Sequence, residues 1–262
     1  MTTCPNCKIN LGLHVVGKRP DGYHDLETIF LPVMDLTDTL TIEPSDTLQM
    51  VQEGIALDNA PEDNLCIRAW RLLHEEFDIP SVSIRLEKHI PFGAGLGGGS
   101  SDAAFTLKML NEMFSLDLNV SDLEQRAARL GADCAFFIRN QAAYATGIGD
   151  QLHPIDLDLS AYRIAIEIPE GEHVSTKEAY AGLTMPQQCC GTNSGTPNRP
   201  DLREAVKHPI EAWHGLIVND FEASVFPSHP AIAALKDDFY RRGALYASMT
   251  GSGAAVFGLF PR

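Results

Sequence analysis

The sequence predicts an α+β fold on three observations. Stretches in which apolar and polar residues alternate with period two, such as 8–16 and 82–86, read as strands with one face in a core. Runs of helical period, such as 63–77 and 230–241, separate them without a strict strand–helix alternation. No internal repeat is present, so antiparallel strands with helices on one side are expected.

In chain order, Ile9, Leu11, Leu13 and Val15 point one way in the first strand, and Lys8, Asn10, Gly12 and His14 the other. That polar face reads either as solvated or as part of a site. Pro20-Asp21-Gly22 marks a turn that delivers Tyr23 and His24 side by side, and Leu26, Thr28, Phe30 and Pro32 continue an extended segment. Residues 38–44 and 47–52 read as a hairpin. A helix over 63–77 carries Leu65, Ala69, Leu72, Leu73 and Phe77 on its apolar side. Val82, Ile84 and Leu86 alternate in the strand before a glycine-rich stretch. Ser121-Asp122-Leu123-Glu124 reads as a capping box opening a helix that stops at Gly131. Asp133 follows, between a helix end and an apolar run, and is either a turn residue or a site carboxylate. A strand over 142–146, a turn at 147–150 and a boundary near 150 give domains 1–150 and 151–262. Beyond it come a strand at 162–168, a helix at 174–183 and a loop at 185–200. Helical stretches open at Asn219 and Pro230, and a second small-residue loop follows at 250–255.

Composition limits the class of function. The chain has 262 residues, 44% hydrophobic and 21% charged, as in an ordinary globular enzyme. With 20 Lys+Arg against 35 Asp+Glu its net charge is −15, which argues against a nucleic-acid partner. No apolar run approaches ~18 residues and no signal-peptide pattern opens the chain, so a cytoplasmic protein without a membrane partner is expected. Cys4-x-x-Cys7 has no second spaced pair, and adjacent Cys189 and Cys190 do not supply one. Free thiols and no structural metal are the expectation.

The stretch Pro91-Phe92-Gly93-Ala94-Gly95-Leu96-Gly97-Gly98-Gly99-Ser100-Ser101 carries the strongest chemical signal. Five glycines remove the side chains that would keep a ligand from the backbone, and Ser100 and Ser101 can cap the helix that follows. Free N–H groups at a positive dipole end make a phosphate cradle. A Walker A ending is missing. Gly93-x-Gly95-x-x-Gly98 matches the dinucleotide pattern, but Pro91 interrupts the approach and no second strand ends in an acidic residue at the required distance. A dinucleotide-dependent oxidoreductase is therefore the weaker reading.

Three segments now stand in fixed order: Lys8-Ile9-Asn10-Leu11-Gly12-Leu13, the stretch 91–101, and Thr250-Gly251-Ser252-Gly253. This layout resembles the GHMP small-molecule kinases. Arg19-Pro20-Asp21-Gly22-Tyr23-His24, Glu62-Asp63-Asn64-Leu65, Gly97-Gly98-Gly99-Ser100-Ser101 and Gly131-Ala132-Asp133 are similar to the members whose acceptor carries a cytidine diphosphate group. The resemblance spans nearly the whole chain. It implies a two-domain fold with the active site in the inter-domain cleft. The implied activity transfers the γ-phosphoryl group of ATP, with Mg²⁺, to the 2-hydroxyl of a cytidyl-linked methylerythritol of the non-mevalonate isoprenoid route. By the same carry-over Lys8 and Asp133 are catalytic, residues 91–101 hold the ATP phosphates, and Asn10, Tyr23, His24, Thr176 and Tyr180 bind the acceptor. Tyr23 and His24 would lie at the cytosine and Tyr180 on its other face. No residue is assigned to the metal, and a monomer or homodimer is implied. The sequence departs from the family pattern at Cys7 and at Cys134-Ala135. It also stops soon after the third motif, which implies a shortened final edge. A kinase for mevalonate, homoserine or a sugar, or a non-catalytic nucleotide sensor, are the alternatives on the same fold.

Overall fold

A computed structural model describes residues 1–55, 63–183 and 200–262. Glu62, Cys189, Cys190 and all of the expected loop at 185–200 except Pro200 lie outside the described residues. The first half contains strands β1 (Thr2–Thr3), β2 (Asn6–Lys18), β3 (His24–Thr37), β4 (Thr39–Pro44) and β5 (Gln49–Gly54), helix α1 (Leu65–Phe77) and strand β6 (Val82–Lys88). Helices α2 (Gly98–Met113), α3 (Val120–Leu130) and α4 (Cys134–Arg139) follow, then β7 (Ala143–Thr146), β8 (Gln151–Pro154) and β9 (Tyr162–Glu167). The remainder is α5 (Thr176–Ala181), α6 (Leu202–Ala205), a 3₁₀ turn at Ile210–Ala212, α7 (Asp220–Val225), α8 (Pro230–Arg241), β10 (Tyr246–Met249) and β11 (Val256–Pro261). Among the described residues no helix is long and apolar enough to cross a membrane.

Two units divide the chain. The first comprises 1–8, 32–92 and 97–141, and the second 9–31, 93–96 and 142–262. The expected boundary at 150 falls inside the second unit. Residues 9–31 join that unit because β2 and β3 are sheet partners of β7 and β8, in the order β2-β3-β7-β8. Strand pairing, not proximity along the chain, decides membership.

In the first unit the sheet order is β1-β4-β6-β5. The expected hairpin of β4 and β5 does not form. β6 runs between them, antiparallel to β4 (Ile42↔Ile84) and parallel to β5 (Met50↔Ile84). A parallel pair needs a crossover, and the connection through α1 supplies it. Val82, Ile84, Leu86 and Lys88 of β6 are buried while Arg85 and Glu87 are exposed, so helices cover one face, as expected. Asn64 caps α1, its side chain accepting from Cys66 N at 2.9 Å, and Asp78 ends the helix in the left-handed region. Ala69, Leu72 and Leu73 of the expected stripe are buried and Leu65 is half-buried. Cys66, Ile67 and Trp70 are inside and Phe77 is exposed, with the Trp70 indole N–H donating to Pro80 O. α3 is boxed by Asn119 and Asp122, two residues before the expected signature; Ser121 already has helical geometry, so its hydroxyl is past the capping position.

A second correction concerns α2. Ser100 and Ser101 do not cap it: the helix starts at Gly98, with Gly97 in the left-handed region as N-cap and no side-chain cap at all. What anchors this end is a buried charge cluster. Lys88 Nζ donates to Asp38 Oδ2 and, at 2.7 Å, to Asp102 Oδ2 in the helix's first turns. Asp38 Oδ1 also accepts from His89 N (2.6 Å) and Ile90 N (2.8 Å), which pins the chain leaving β6.

In the second unit β9, β10 and β11 form an antiparallel sheet in the order β10-β11-β9. Val174, Phe221, Ile232, Phe239, Met249 and Val256 build its core. The polar face of β2 is not solvated: Asn10 and His14 are buried, and so is Lys8 at the first unit's end of the strand.

Burial, with Asp38 adding to it and Lys88 opposing it, pushes the Asp102 carboxyl up to about 7. The folded chain therefore holds a proton that the unfolded chain releases in the ordinary carboxylate range. The stability from this group is complete below that range and is lost as pH rises through about 7. Asp102→Asn, neutral and equal in size, is expected to flatten the decline of melting temperature between about pH 5 and pH 8. Parallel profiles for the variant and the parent protein would contradict this.

Candidate active site

The site builds from a strand that carries a lysine inward. The period of β2 directs Lys8 opposite to Cys7 and Ile9, and its Nζ lies 3.4 Å from Asp133 Oδ2. The Lys8 side chain is 4% exposed and that of Asp133 33%, so the ammonium is out of water while the carboxylate still reaches it. Asp133 occupies the position before α4, yet its side chain makes no capping hydrogen bond there. Asp133 thus lies in the turn that one of its two readings expected, but its side chain caps nothing there. The pair resides within the first unit.

Room for the lysine stem comes from Gly97. A Cβ at this position would sit 3.2 Å from Lys8 Cε and 3.1 Å from the Phe137 ring, and φ is +70°. The same residue starts α2 without a side chain, so the first N–H groups of a 16-residue helix have neither an intrahelical acceptor nor a side-chain cap. Ser101 Oγ in that first turn is buried and has no hydrogen-bond partner among the described residues. Residues 91, 92 and 97–101 of the glycine-rich stretch belong to the first unit, and 93–96 to the second.

In the second unit the stretch is fixed by the third motif. Gly95, at φ +78°, approaches Thr250 so closely that a Cβ would fall 2.1 Å from Thr250 O. Thr250 Oγ1 accepts from Asn10 N at 3.0 Å, and its one proton lies between Gly95 O (3.2 Å) and Asn10 Oδ1 (3.3 Å). Asn10 Nδ2 donates to Thr28 Oγ1 at 2.9 Å, and Thr28 donates on to Gly12 O at 2.5 Å. Asn10 is thereby brought to Thr250, a residue to which the sequence reading gives a motif but no individual role. Thr176 Oγ1 lies 3.3 Å from Ser252 Oγ of the same motif.

The His24 and Tyr180 rings stack on each other, centroids 4.5 Å apart and 20° from parallel, and Phe221 meets Tyr180 edge-on at 4.8 Å. A base between two rings needs about 7 Å, twice an atomic stacking distance. His24 and Tyr180 therefore cannot hold a base between them without one ring moving. Tyr23 is 62% exposed, its N donating to Asp21 Oδ1 at 3.0 Å. Burial, with Lys18 adding a like charge, holds the His24 imidazole below its ordinary pKa, which favours the neutral ring. Phe221 and Asn219 escape sequence reading because a cap residue and an apolar helix residue look the same whether or not they touch a site. Among the described residues no group of three or more His, Cys, Asp or Glu could hold a metal ion.

These features define a class. The chain matches the family model "GHMP kinases N terminal domain" over residues 64–141 and "GHMP kinases C terminal" over 202–262. A crystal structure of the Methanococcus jannaschii mevalonate kinase superposes with a TM-score of 0.69, covering 99% of this chain and 90% of that one; at 15% identity it shares the fold. Within that class the chain belongs to the 4-diphosphocytidyl-2-C-methyl-D-erythritol kinase family. It is 50% identical to the enzyme of that name from Bacteroides thetaiotaomicron, covering 99% of this chain and 92% of the relative. The one from Azobacteroides pseudotrichonymphae is 45% identical, with 100% and 94% covered. A crystal structure of 4-(cytidine 5'-diphospho)-2C-methyl-D-erythritol kinase has a TM-score of 0.79 at 32% identity, covering 99% of this chain and 90% of that one.

Two neighbouring glycines separate close approach from mere flexibility. Gly95→Ala forces a Cβ against the Thr250 carbonyl in the left-handed region, and should cost about 1–3 kcal/mol or more in stability. At Gly99 the new Cβ meets only Leu65 Cδ1 at 3.9 Å, and Gly99→Ala should be close to neutral. Equal melting temperatures for the two variants would contradict the assignment.

Proposed function

We propose that this chain transfers the γ-phosphoryl group of ATP to the 2-hydroxyl of 4-diphosphocytidyl-2-C-methyl-D-erythritol, with Lys8 and Asp133 as its catalytic pair. The observation that carries the reading is the 3.4 Å approach of a buried ammonium to a half-buried carboxylate. Full-length relatives at 44–50% identity bear the name of that kinase, whereas mevalonate and homoserine kinase structures lie at 14–17%. Other acceptors are accordingly not favoured, and neither is a sensor that dispenses with the pair.

Phosphoryl transfer asks mainly for positioning and for stabilisation of charge. The uncapped N–H groups of Gly98, Gly99 and Ser100 point a positive dipole end toward phosphate oxygens. Residues 91–97 carry no bulky side chain except Phe92 and Leu96, so the backbone can follow a triphosphate. Asp133 orients the 2-hydroxyl and accepts its proton, and Lys8 keeps the carboxylate ionised and offsets charge on the group in transit. Asn10, Tyr23, His24, Thr176 and Tyr180 bind the acceptor, with neutral His24 able to read the edge of a base and the aromatic rings able to stack on it.

Mg²⁺ fits these residues as a metal carried on the nucleotide. The chain would offer serine hydroxyls at 100 and 101, but no three-residue cage among the described residues. When bound, the metal neutralises phosphate charge.

Asp133→Asn is expected to lower turnover by about 10²-fold or more, the usual scale for a lost general base. Lys8→Met should cripple turnover with the melting temperature little changed. The decisive assay incubates the protein with Mg-ATP and a panel of alcohols, following ADP release. Release that depends on the cytidyl-diphosphate substrate supports the reading, and equal rates with mevalonate or homoserine would overturn it.

A further inference from the structure

Asn219 opens α7 and is 2% exposed. Its side-chain amide is almost fully committed. Oδ1 accepts from Phe221 N at 3.0 Å as the helix cap, while Nδ2 donates to Met249 O and to Gly251 O, both at 2.8 Å. The two carbonyls flank Thr250, the residue whose hydroxyl reaches Gly95 O and the backbone N of Asn10. Leu13 N donates to Val218 O alongside, and Asp220 Oδ2 accepts from Val15 N at 2.8 Å, so β2 is held by the same turn. Glu222 completes the grip: its Oε1 accepts from Met249 N and Ser248 Oγ, each at 2.9 Å. All of these residues are in the second unit.

A cap needs only one acceptor oxygen, so serine, threonine or aspartate would serve α7 equally well. Two donors aimed at the carbonyls of residues 249 and 251 are a different requirement, and of the small capping residues only asparagine meets both. Removing those donors strands the buried Gly251 carbonyl and leaves Met249 O with the Ser248 Oγ donor at 3.3 Å, which costs more than the bonds themselves return. The turn that bears Thr250 is the part free to respond, and Gly95 moves with it, since the two backbones meet with no space for a methyl group.

We infer that Asn219 is a positioning residue for the kinase reaction: through Met249 O and Gly251 O it sets Thr250, and through Thr250 it sets Gly95 in the glycine-rich loop. The inference rests on the proposed reading of that loop as the holder of the ATP phosphates. Phe221, from the same turn but on the side of Tyr180, belongs to the acceptor end. One cap thus serves two different ligands through adjacent residues.

The test uses Asn219→Asp and Asn219→Ser, both of which keep the cap and lose the paired donors. Steady-state kinetics with ATP and the cytidyl-diphosphate acceptor, each varied separately, are expected to show KM for ATP raised about tenfold, on the scale of one unsatisfied carbonyl, with KM for the acceptor within about threefold. Phe221→Leu is expected to give the reverse split. A role in helix stability alone would move melting temperature without separating the two constants. Unchanged KM for ATP in either folded asparagine variant overturns the inference. Thr250→Val and Gly95→Ala act as the control for the loop itself. If they raise KM for ATP while the Asn219 variants do not, the positioning role falls and the loop reading stands. If they too leave it unchanged, the loop reading fails.

Discussion

A lysine ammonium held out of water has to be met by a negative charge, and Lys8 imposes that condition on the first unit. A buried charge without a partner costs several kcal/mol, so the partner's position is as constrained as the lysine's. The partner is Asp133, in the turn between α3 and α4, and the turn is closed by its own backbone: Cys134 N donates to Gly131 O at 3.1 Å. Gly97 stays bare so that the lysine stem can pass beside Phe137. Three segments far apart in the chain thereby meet at one lysine. The two departures from the family pattern also become intelligible. Cys134 and Cys7 are buried thiols, pushed by burial up to about 11 and about 12, and act as small apolar filling rather than as reactive groups.

The chain is strongly acidic, yet its family handles a triphosphate. A net charge of −15 repels such a ligand at long range, so attraction has to be local. The interior ammonium groups of Lys8 and Lys88 differ in this respect. Lys88 is consumed by two carboxylates, Asp38 and Asp102, and serves to anchor the start of α2. Lys8 faces one carboxylate that is still a third exposed. Two lysines of similar burial thus meet different carboxylate surroundings.

Much of the architecture was legible residue by residue. Alternation at 8–16 and 82–86 marks β2 and β6, and helical spacing marks α1 and α8, because side-chain direction repeats with the backbone's own period. The glycine-rich stretch stood out by composition, whereas the position of Asp133 left two readings open and only the family resemblance singled it out. Errors cluster where two local signals compete. Ser100 and Ser101 look like caps, but α2 starts three residues before Ser101, at Gly98. Ser121 to Glu124 looks like a capping box, but Asn119 is the residue with extended geometry. A polar strand face looks solvated until a second layer covers it, as happens to Asn10 and His14.

By itself the sequence determined which segments are strands, which are helices, and where a backbone bare enough for a phosphate lies; these are local properties, set by period and by the absence of side chains. Tertiary structure alone decided which strand lies beside which, placing β6 between β4 and β5 and joining residues 9–31 to the C-terminal half. It also decided that Asn219 holds the carbonyls on either side of Thr250, that Thr250 reaches the glycine loop, and that His24 and Tyr180 close on each other. The physical reason is that a hydrogen bond or ring contact between residues far apart in the chain leaves no periodic trace: its partners are chosen by burial and geometry only once the chain is packed.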